Sequence, residues 1–201
     1  AWYRRATLHV QAVPICDPVA GAEPVPPIFR PRRRDRATVR RSLEVPEAAP
    51  LVVVTMGGIP QELPFLDRLG DYAPVHFVVT GAPQTEARGT LRLFGPDARI
   101  YMPDFVGAAD GVVAKLGYGT VAEVWSAGCP FAWVERPDFR EAGPMSDWVR
   151  ADVPGFPLAQ EDFLGGVWLQ RLPELLATPR PAGVRVGGAD AVADRIEALV
   201  D

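Results

Sequence analysis

The chain has 201 residues, of which 48% are hydrophobic and 23% charged, and its formal net charge is −4. This size suits one domain, or one domain plus part of another, and the composition is that of a folded globular protein. The net charge gives no general affinity for nucleic acid, and no apolar run approaches the roughly 18 residues that cross a bilayer. The two cysteines form no disulfide or zinc pattern, so we expect a cytoplasmic protein that has no transmembrane segment and no metal site.

Residues 1–46 are rich in proline and arginine. The sequence begins in the middle of a helical pattern and continues into the strand-like run TLHVQAV at 7–13, so this part is interpreted as a linker that can include the remnant of a preceding N-terminal domain. The prolines of residues 19–31 fix φ and remove backbone donors, which predicts an extended segment, here called the connector. A short helix is predicted from Asp35 to Leu43, ended by Pro46.

The arginines between Phe29 and Arg41 form the one basic cluster of the sequence. Charge runs of this kind usually lie in solvated linkers and helix starts, and that interpretation is favoured here. The alternative is a patch that attracts phosphate or lipid, which leaves peripheral membrane contact open.

From Leu51 the pattern changes to continuous apolar, β-branched runs, typical of strands covered on both faces of a parallel sheet. Helix-compatible segments lie between several of them, which favours βαβ units and a doubly wound, Rossmann-like α/β fold. We therefore assign residues 47–201 to one Rossmann-like domain that closes with a helix over 188–201. Strands are predicted at 51–58, 75–81, 111–117 and 130–136, with a further one at either 90–95 or 98–102.

Two glycine-bearing turns follow strands of this predicted sheet, Met56–Gly58 and Gly117–Thr120. Doubly wound sheets bind ligands at the carboxyl ends of their strands, so both turns are candidate ligand contacts. The second turn opens a helix that ends at Gly128 before Pro130.

The segment from Thr120 to Glu123 has two interpretations. As a capping box, the Thr120 hydroxyl would accept from the backbone N–H of Glu123, and the Glu123 carboxylate would accept from the N–H of Thr120. As a ligand site, the helix N-terminus and the two glycines would hold a phosphate, Lys115 would meet its charge, and Glu123 would accept hydrogen bonds from a ribose diol.

The run DGVVAKLGYGTVAEVWSAGCPFAWVERPDFREAGPM resembles the donor-binding signature of GT-B glycosyltransferases. It is most similar to the branch with the peptidoglycan N-acetylglucosaminyltransferase and the glycosyltransferase-like halves of sugar kinases. The upstream runs LVVVTMGGIP, HFVVTG and MPDFVGAAD and the terminal GADAVADRIEAL resemble, in order, further elements of the same C-terminal domain. The resemblance covers roughly residues 51–201.

The resemblance implies donor-binding roles for residues of this chain. The donor's ribose would bind Glu123, and its base would contact backbone atoms of the segment from Met102 to Phe105. Asp138 and Glu141, in the loop after the strand at 130–136, would lie near the donor sugar, although the usual acidic residue–glutamine pair is replaced here by DFRE. The residues implied for the donor diphosphate are Gly57, Gly58, Lys115, Gly117, Tyr118, Gly119 and Thr120.

The resemblance further implies transfer of a sugar from a UDP-linked nucleotide sugar to the hydroxyl of an unknown acceptor, with no cofactor. The catalytic residues are unassigned, because the family's general base and acceptor site lie in an N-terminal domain, which is the expected partner of this one. Two alternatives stay open: a nucleotide-sugar 2-epimerase and a non-catalytic nucleotide-binding module on the same fold.

Overall fold

In a computed structural model of the chain, the residues described are 5–57 and 62–199. Within them, one seven-stranded sheet has the order β5-β6-β4-β3-β7-β8-β9, and all its strands are parallel except β5, which runs antiparallel to β6. The strands are β3 (Leu51–Thr55), β4 (His76–Thr80), β5 (Glu86–Arg88), β6 (Leu91–Phe94), β7 (Gly111–Lys115), β8 (Phe131–Val134) and β9 (Gly155–Leu158). This confirms the predicted doubly wound α/β fold.

Helices cover both faces of the sheet, and the alternating side chains of the central strands supply two separate cores. Val53 of β3 belongs to the core on one face, and its neighbours Val52 and Val54 belong to the core on the other. The α-helices are α1 (Arg36–Ser42), α2 (Met102–Ala108), α3 (Tyr118–Ala127), α4 (Ala142–Asp152), α5 (Gln160–Leu164), α6 (Leu172–Ala177) and α7 (Ala189–Glu197). Further along the chain, 3₁₀ helices span Leu66–Tyr72 and Val167–Arg171.

The N-terminal segment contains a small parallel pair, β1 (Val10–Ala12) and β2 (Glu23–Val25). The predicted helix at 35–43 is confirmed, since Asp35 caps the N-terminus of α1 by accepting from the Thr38 N–H at 2.8 Å. Val39 packs into the core between α1 and the sheet. The proposed division of the chain at residue 46 stays a prediction.

The arginines of the basic cluster are largely paired within the domain. Arg36 and the buried Arg40 both bind the carboxylate of Asp110, and Arg40 also donates to backbone carbonyls. Arg34 pairs with Asp104. These pairs support the interpretation of the cluster as a linker and helix start.

Two sequence expectations receive a definite outcome, and one strand was missed. The further strand lies at Leu91–Phe94 and not at 98–102. One of the helix-compatible segments, at 60–70, contains a 3₁₀ helix that begins at Leu66, while its residues 60 and 61 lie outside the described residues. The edge strand β9 was not predicted, because its sequence GFPL carries a glycine and a proline, both unusual inside strands.

Candidate functional site

The strand order reverses between β3 and β7, which are neighbours in the sheet although 55 residues of sequence lie between Thr55 and Gly111. From β3 the sheet grows outward through β4 on one side and through β7 on the other. Such a switch point opens a crevice at the carboxyl ends of the two strands, where doubly wound proteins bind ligands. The candidate site is built around this crevice.

Gly57 and Lys115 meet across the switch point. Gly57 follows β3 with φ of +70°, a conformation that favours glycine. A Cβ atom at this position would lie 3.1 Å from the Lys115 Cε atom and 3.4 Å from its Nζ atom. The lysine side chain therefore lies directly against the glycine, as expected if both bind the same group.

Two buried threonines fix the backbone that leads to Gly57. The Thr80 hydroxyl donates to the Thr55 Oγ1 atom at 2.6 Å, and the Gly57 N–H donates to the same oxygen at 3.2 Å. Sequence reasoning missed both threonines, since each looks like an ordinary strand residue until β3 and β4 are paired with Thr55 opposite Thr80. Gly58 lies outside the described residues.

Lys115 is the only lysine of the chain and is half-buried. Burial lowers its pKa, and the positive charge of the nearby Arg136 lowers it further. Sequence reasoning also missed Arg136, which stacks on Phe139 with its guanidinium carbon 3.2 Å from the ring centroid. In the described part of the chain, Lys115 has no ion-pair partner, so it is a cation available to an anionic ligand.

The glycine turn opens directly into α3. Gly117 is the N-cap with φ of −164°, and no side chain caps the helix. The capping-box interpretation was wrong: Thr120 lies inside the first turn, because the N-cap is Gly117, three residues earlier than that interpretation expects. A Cβ at Gly117 or at Gly119 would meet no atom within 4 Å. Protein packing therefore does not require these glycines, and they leave open space beside the helix N-terminus.

Tyr118 and Glu141 line a cavity of about 230 Å³ together with Gly117 and Arg136. Burial raises the pKa of the Tyr118 phenol, and nearby Cys16 and Glu141 raise it further, so Tyr118 remains protonated and can donate. Asp138 is exposed on the same loop and does not line this cavity. Of the two residues expected near the donor sugar, the structure brings Glu141 to the turn.

Of the segment expected to contact the base, Met102 lines a cavity and Phe105 does not. Met102, at the start of α2, lines a largely apolar cavity of about 900 Å³ that reaches Gly57, Thr55 and Thr80. Phe105 is buried in the core, with its ring centroid 5.3 Å from that of Phe94, and does not line the cavity. The Phe105 side chain therefore does not face this cavity, and the expected contact of the segment with the base through backbone atoms stays a prediction.

Glu123 is buried in α3 with its side chain only 6% exposed. Its Oε1 atom accepts from Arg30 Nη2 at 2.6 Å and from Arg30 Nε at 3.0 Å. Burial raises the pKa of Glu123, and the hydrogen bonds from Arg30 counter part of that rise. Glu123 thus neither caps α3 nor faces open solvent, and nothing in the sequence indicated Arg30 as its partner.

Two further findings concern the described residues alone. They contain no group of three or more histidine, cysteine, aspartate or glutamate side chains that could hold a metal ion. None of their helices is both long and apolar enough to cross a membrane.

No protein-family model matches the chain. An L-arabinokinase from Arabidopsis thaliana is 30% identical over 147 residues, which is 72% of this chain and 14% of that protein. The chain therefore spans a small part of that relative's length.

Several solved structures of glycosyltransferases resemble the chain. MurG from Acinetobacter baumannii matches 98% of this chain and 61% of its own at 18% identity, with a TM-score of 0.61. The calicheamicin glycosyltransferase CalG4 matches 86% and 45% at 22% identity, with a TM-score of 0.56. SnogD from Streptomyces nogalater matches 91% and 51% at 17% identity, with a TM-score of 0.54.

At these identities the similarity shows the fold, and the chain spans about half of each of these proteins. The reversal of strand order between β3 and β7 and the glycine turn before α3 agree with that fold. The chain has the Rossmann-like fold of the C-terminal domain of GT-B glycosyltransferases.

Proposed function

We propose that this domain binds the nucleoside diphosphate part of a sugar donor and takes part in glycosyl transfer. The observation that carries the proposal is the placement of Lys115 against Gly57, beside the uncapped N-terminus of α3, at the sheet's switch point. A half-buried cation, free backbone N–H groups and unfilled space converge there, which is what a diphosphate requires.

The same groups would serve the chemistry as well as binding. When the bond between the sugar and the diphosphate breaks, negative charge grows on the leaving phosphate. Lys115, with Arg136 near it, and the α3 N-terminus would stabilise that charge without having to reorganise. The sugar would then lie towards Tyr118 and Glu141, which line the adjoining cavity.

The base would extend from the diphosphate towards Met102, along the apolar cavity of about 900 Å³, and the ribose would bind Glu123 of α3, as the sequence resemblance implies. Most ligand sites combine apolar walls with a few placed polar groups, and here Thr55 and Thr80 provide hydroxyls at one end. UDP remains the proposed nucleotide from the sequence resemblance. We propose no kinase activity for this chain, because its alignment with the L-arabinokinase covers 14% of that protein.

The acceptor and the catalytic base are assigned to no residue of this chain. Two acidic side chains lie near the turn, and neither is assigned as the base. Glu123 is paired with Arg30, and Glu141 is exposed at the start of α4. We propose that the base and the acceptor site belong to a further domain, as the sequence resemblance implies; the chain spans about half of the fold relatives.

The first test is thermal unfolding of the protein with UDP, GDP and TDP in turn. A ligand present at 100 times its Kd stabilises the folded state by about 2.7 kcal/mol, which raises the Tm of a domain of this size by roughly 5–10 °C. Lys115→Met should lose that rise, and Lys115→Arg should keep part of it. If none of the three nucleotides raises the Tm, the proposal is wrong.

Activity would then be assigned by product analysis with the full-length protein and the nucleotide sugar that binds. Appearance of a glycosylated acceptor supports transfer. An epimerised nucleotide sugar would support the 2-epimerase alternative, and saturable binding without turnover would support a binding module.

A further inference from the structure

The connector and the arginines after it contact α3 and the start of α2, the elements that carry the residues proposed for the ribose and the base. The Phe29 ring contacts that of Trp125 on α3, with centroids 6.3 Å apart. The Tyr101 hydroxyl donates to the Pro31 carbonyl at 2.8 Å. This part of the chain is therefore held by both helices that border the site.

The strongest anchor of this segment is Asp104 of α2. Its Oδ1 atom accepts from the backbone N–H groups of Arg33 and Arg34 at 2.7 and 3.1 Å, and its Oδ2 atom accepts from Arg34 Nε at 3.1 Å. Asp104 is 2% exposed. These bonds fix the backbone beside Arg30 and so direct the Arg30 side chain towards α3.

Arg30 and Glu123 differ sharply in their access to water. The Arg30 side chain is 59% exposed, and the Glu123 side chain is 6% exposed. Both Arg30 donors bond the same oxygen, Oε1, and the guanidinium carbon lies 5.2 Å from the Tyr101 ring centroid. A ribose diol could reach Glu123 only after the guanidinium had moved away.

We propose that Arg30 is an intramolecular competitor of the nucleoside: it occupies the position at which a donor's ribose would bind Glu123, so the donor binds only when Arg30 leaves. This inference rests on the proposed function and adds a regulatory contact to it. The connector thereby lowers the donor affinity of the domain, and any change that withdraws the connector raises it.

The structure indicates a modest effect. An arginine that is more than half exposed is well solvated once it leaves its partner, so its release costs little. The backbone anchors at Asp104 need not break, because rotation of the Arg30 side chain alone uncovers the carboxylate. Competition should therefore weaken the donor's binding by a small factor and not abolish it.

The test is calorimetric titration of UDP into the wild type, Arg30→Gln and Arg32→Gln. Arg32 is exposed, precedes the anchored residues and has no contact with Glu123, so its variant makes the same charge change without releasing the carboxylate. Arg30→Gln should bind UDP about threefold to tenfold more tightly than the wild type, and Arg32→Gln should match the wild type. Arg30→Lys keeps the charge but donates from a single ammonium group, so its affinity for UDP should lie between those of the wild type and Arg30→Gln.

The effect of Arg30 must pass through Glu123. In a protein that already carries Glu123→Gln, adding Arg30→Gln should change the Kd for UDP by less than about twofold, since the ion pair between the two residues is already broken. Tighter binding that persists in that background would overturn the proposal.

Two results separate this inference from the proposed function. If the wild type binds UDP and Arg30→Gln binds it equally or more weakly, Arg30 is not a competitor, and the proposed function stands. If neither protein binds UDP, GDP or TDP and Lys115→Met behaves like the wild type, the proposed function and this inference are both wrong. Thermal melts of each variant confirm that it is folded before its titration is interpreted.

Discussion

Replacement of Gly57 by alanine probes the contact on which the proposed diphosphate site depends. The new methyl group would lie 3.1 Å from Lys115 Cε and 3.4 Å from Nζ. The distance to Cε is shorter than ordinary van der Waals contact, so the end of the lysine side chain must shift by a few tenths of an ångström. The shift itself is easy, because the side chain is flexible, but it moves the cation from its place beside the loop.

Two free energies change, and they can be measured separately. Alanine at φ of +70° costs about 1 kcal/mol of stability, which is roughly 2–4 °C in Tm for a domain of this size. Losing a charge-assisted hydrogen bond to a phosphate costs about 1.5–3 kcal/mol, so the Kd for UDP should rise about tenfold to a hundredfold.

Gly89→Ala is the matched control. Gly89 has φ of +55° in the turn between β5 and β6, and a Cβ there would meet no atom within 4 Å. It should carry the same backbone cost and bind UDP like the wild type. Urea unfolding gives the stabilities and calorimetry gives the affinities. Equal UDP affinities for the two alanine variants would refute the assignment of Gly57 and Lys115 to the phosphate.

Three other predictions follow from the same geometry. Burial and the charge of Arg136 lower the pKa of Lys115. The affinity for UDP should therefore fall as the pH rises, already below the ordinary lysine pKa of about 10.4. Titrations at a series of pH values measure this fall, and Lys115→Arg should not show it. Thr80→Val removes the donor to Thr55, so urea unfolding should show a loss of about 1 kcal/mol and calorimetry a weaker affinity for UDP; an unchanged affinity would show that the threonine pair does not position the loop. Burial alone would raise the pKa of Asp104, but its hydrogen bonds with the N–H groups of Arg33 and Arg34 hold it below its ordinary value. Its stabilisation is therefore present above the unfolded pKa of about 3.9 and is lost as the pH falls through the lower folded value. Asp104→Asn should be about 2 kcal/mol less stable at pH 7, and urea unfolding below about pH 4 should show a smaller difference.

The sheet and α1 could be predicted because their signals are local. The runs at 51–55 and 76–80 are continuously apolar, as fully covered parallel strands must be. Asp35 supplied a cap and Pro46 a stop for α1. β9 lacked such a signal, because only its pairing with Phe131–Val134 makes it a strand.

The positions of the candidate residues could be predicted where chain order alone sets them, and they were missed where strand pairing or the rotational phase of a helix decides. Lys115 and Gly117 follow β7 directly, so their place at the carboxyl edge followed from the strand assignment. The capping box failed because α3 begins two residues before Thr120. Glu123 meets Arg30 across 93 residues of sequence, a contact that depends on how the connector folds back.

The central claim is that the carboxyl edge beside Lys115 binds the diphosphate of a nucleotide. As the only lysine of the chain, Lys115 can be followed alone by its rate of acetylation, read from its peptide by mass spectrometry with the amino-terminal amine as internal reference. Saturating UDP should slow acetylation of Lys115 while uridine should not, and neither should change the reference rate. Equal acetylation of Lys115 with and without UDP, at concentrations where calorimetry shows binding, would contradict the central claim.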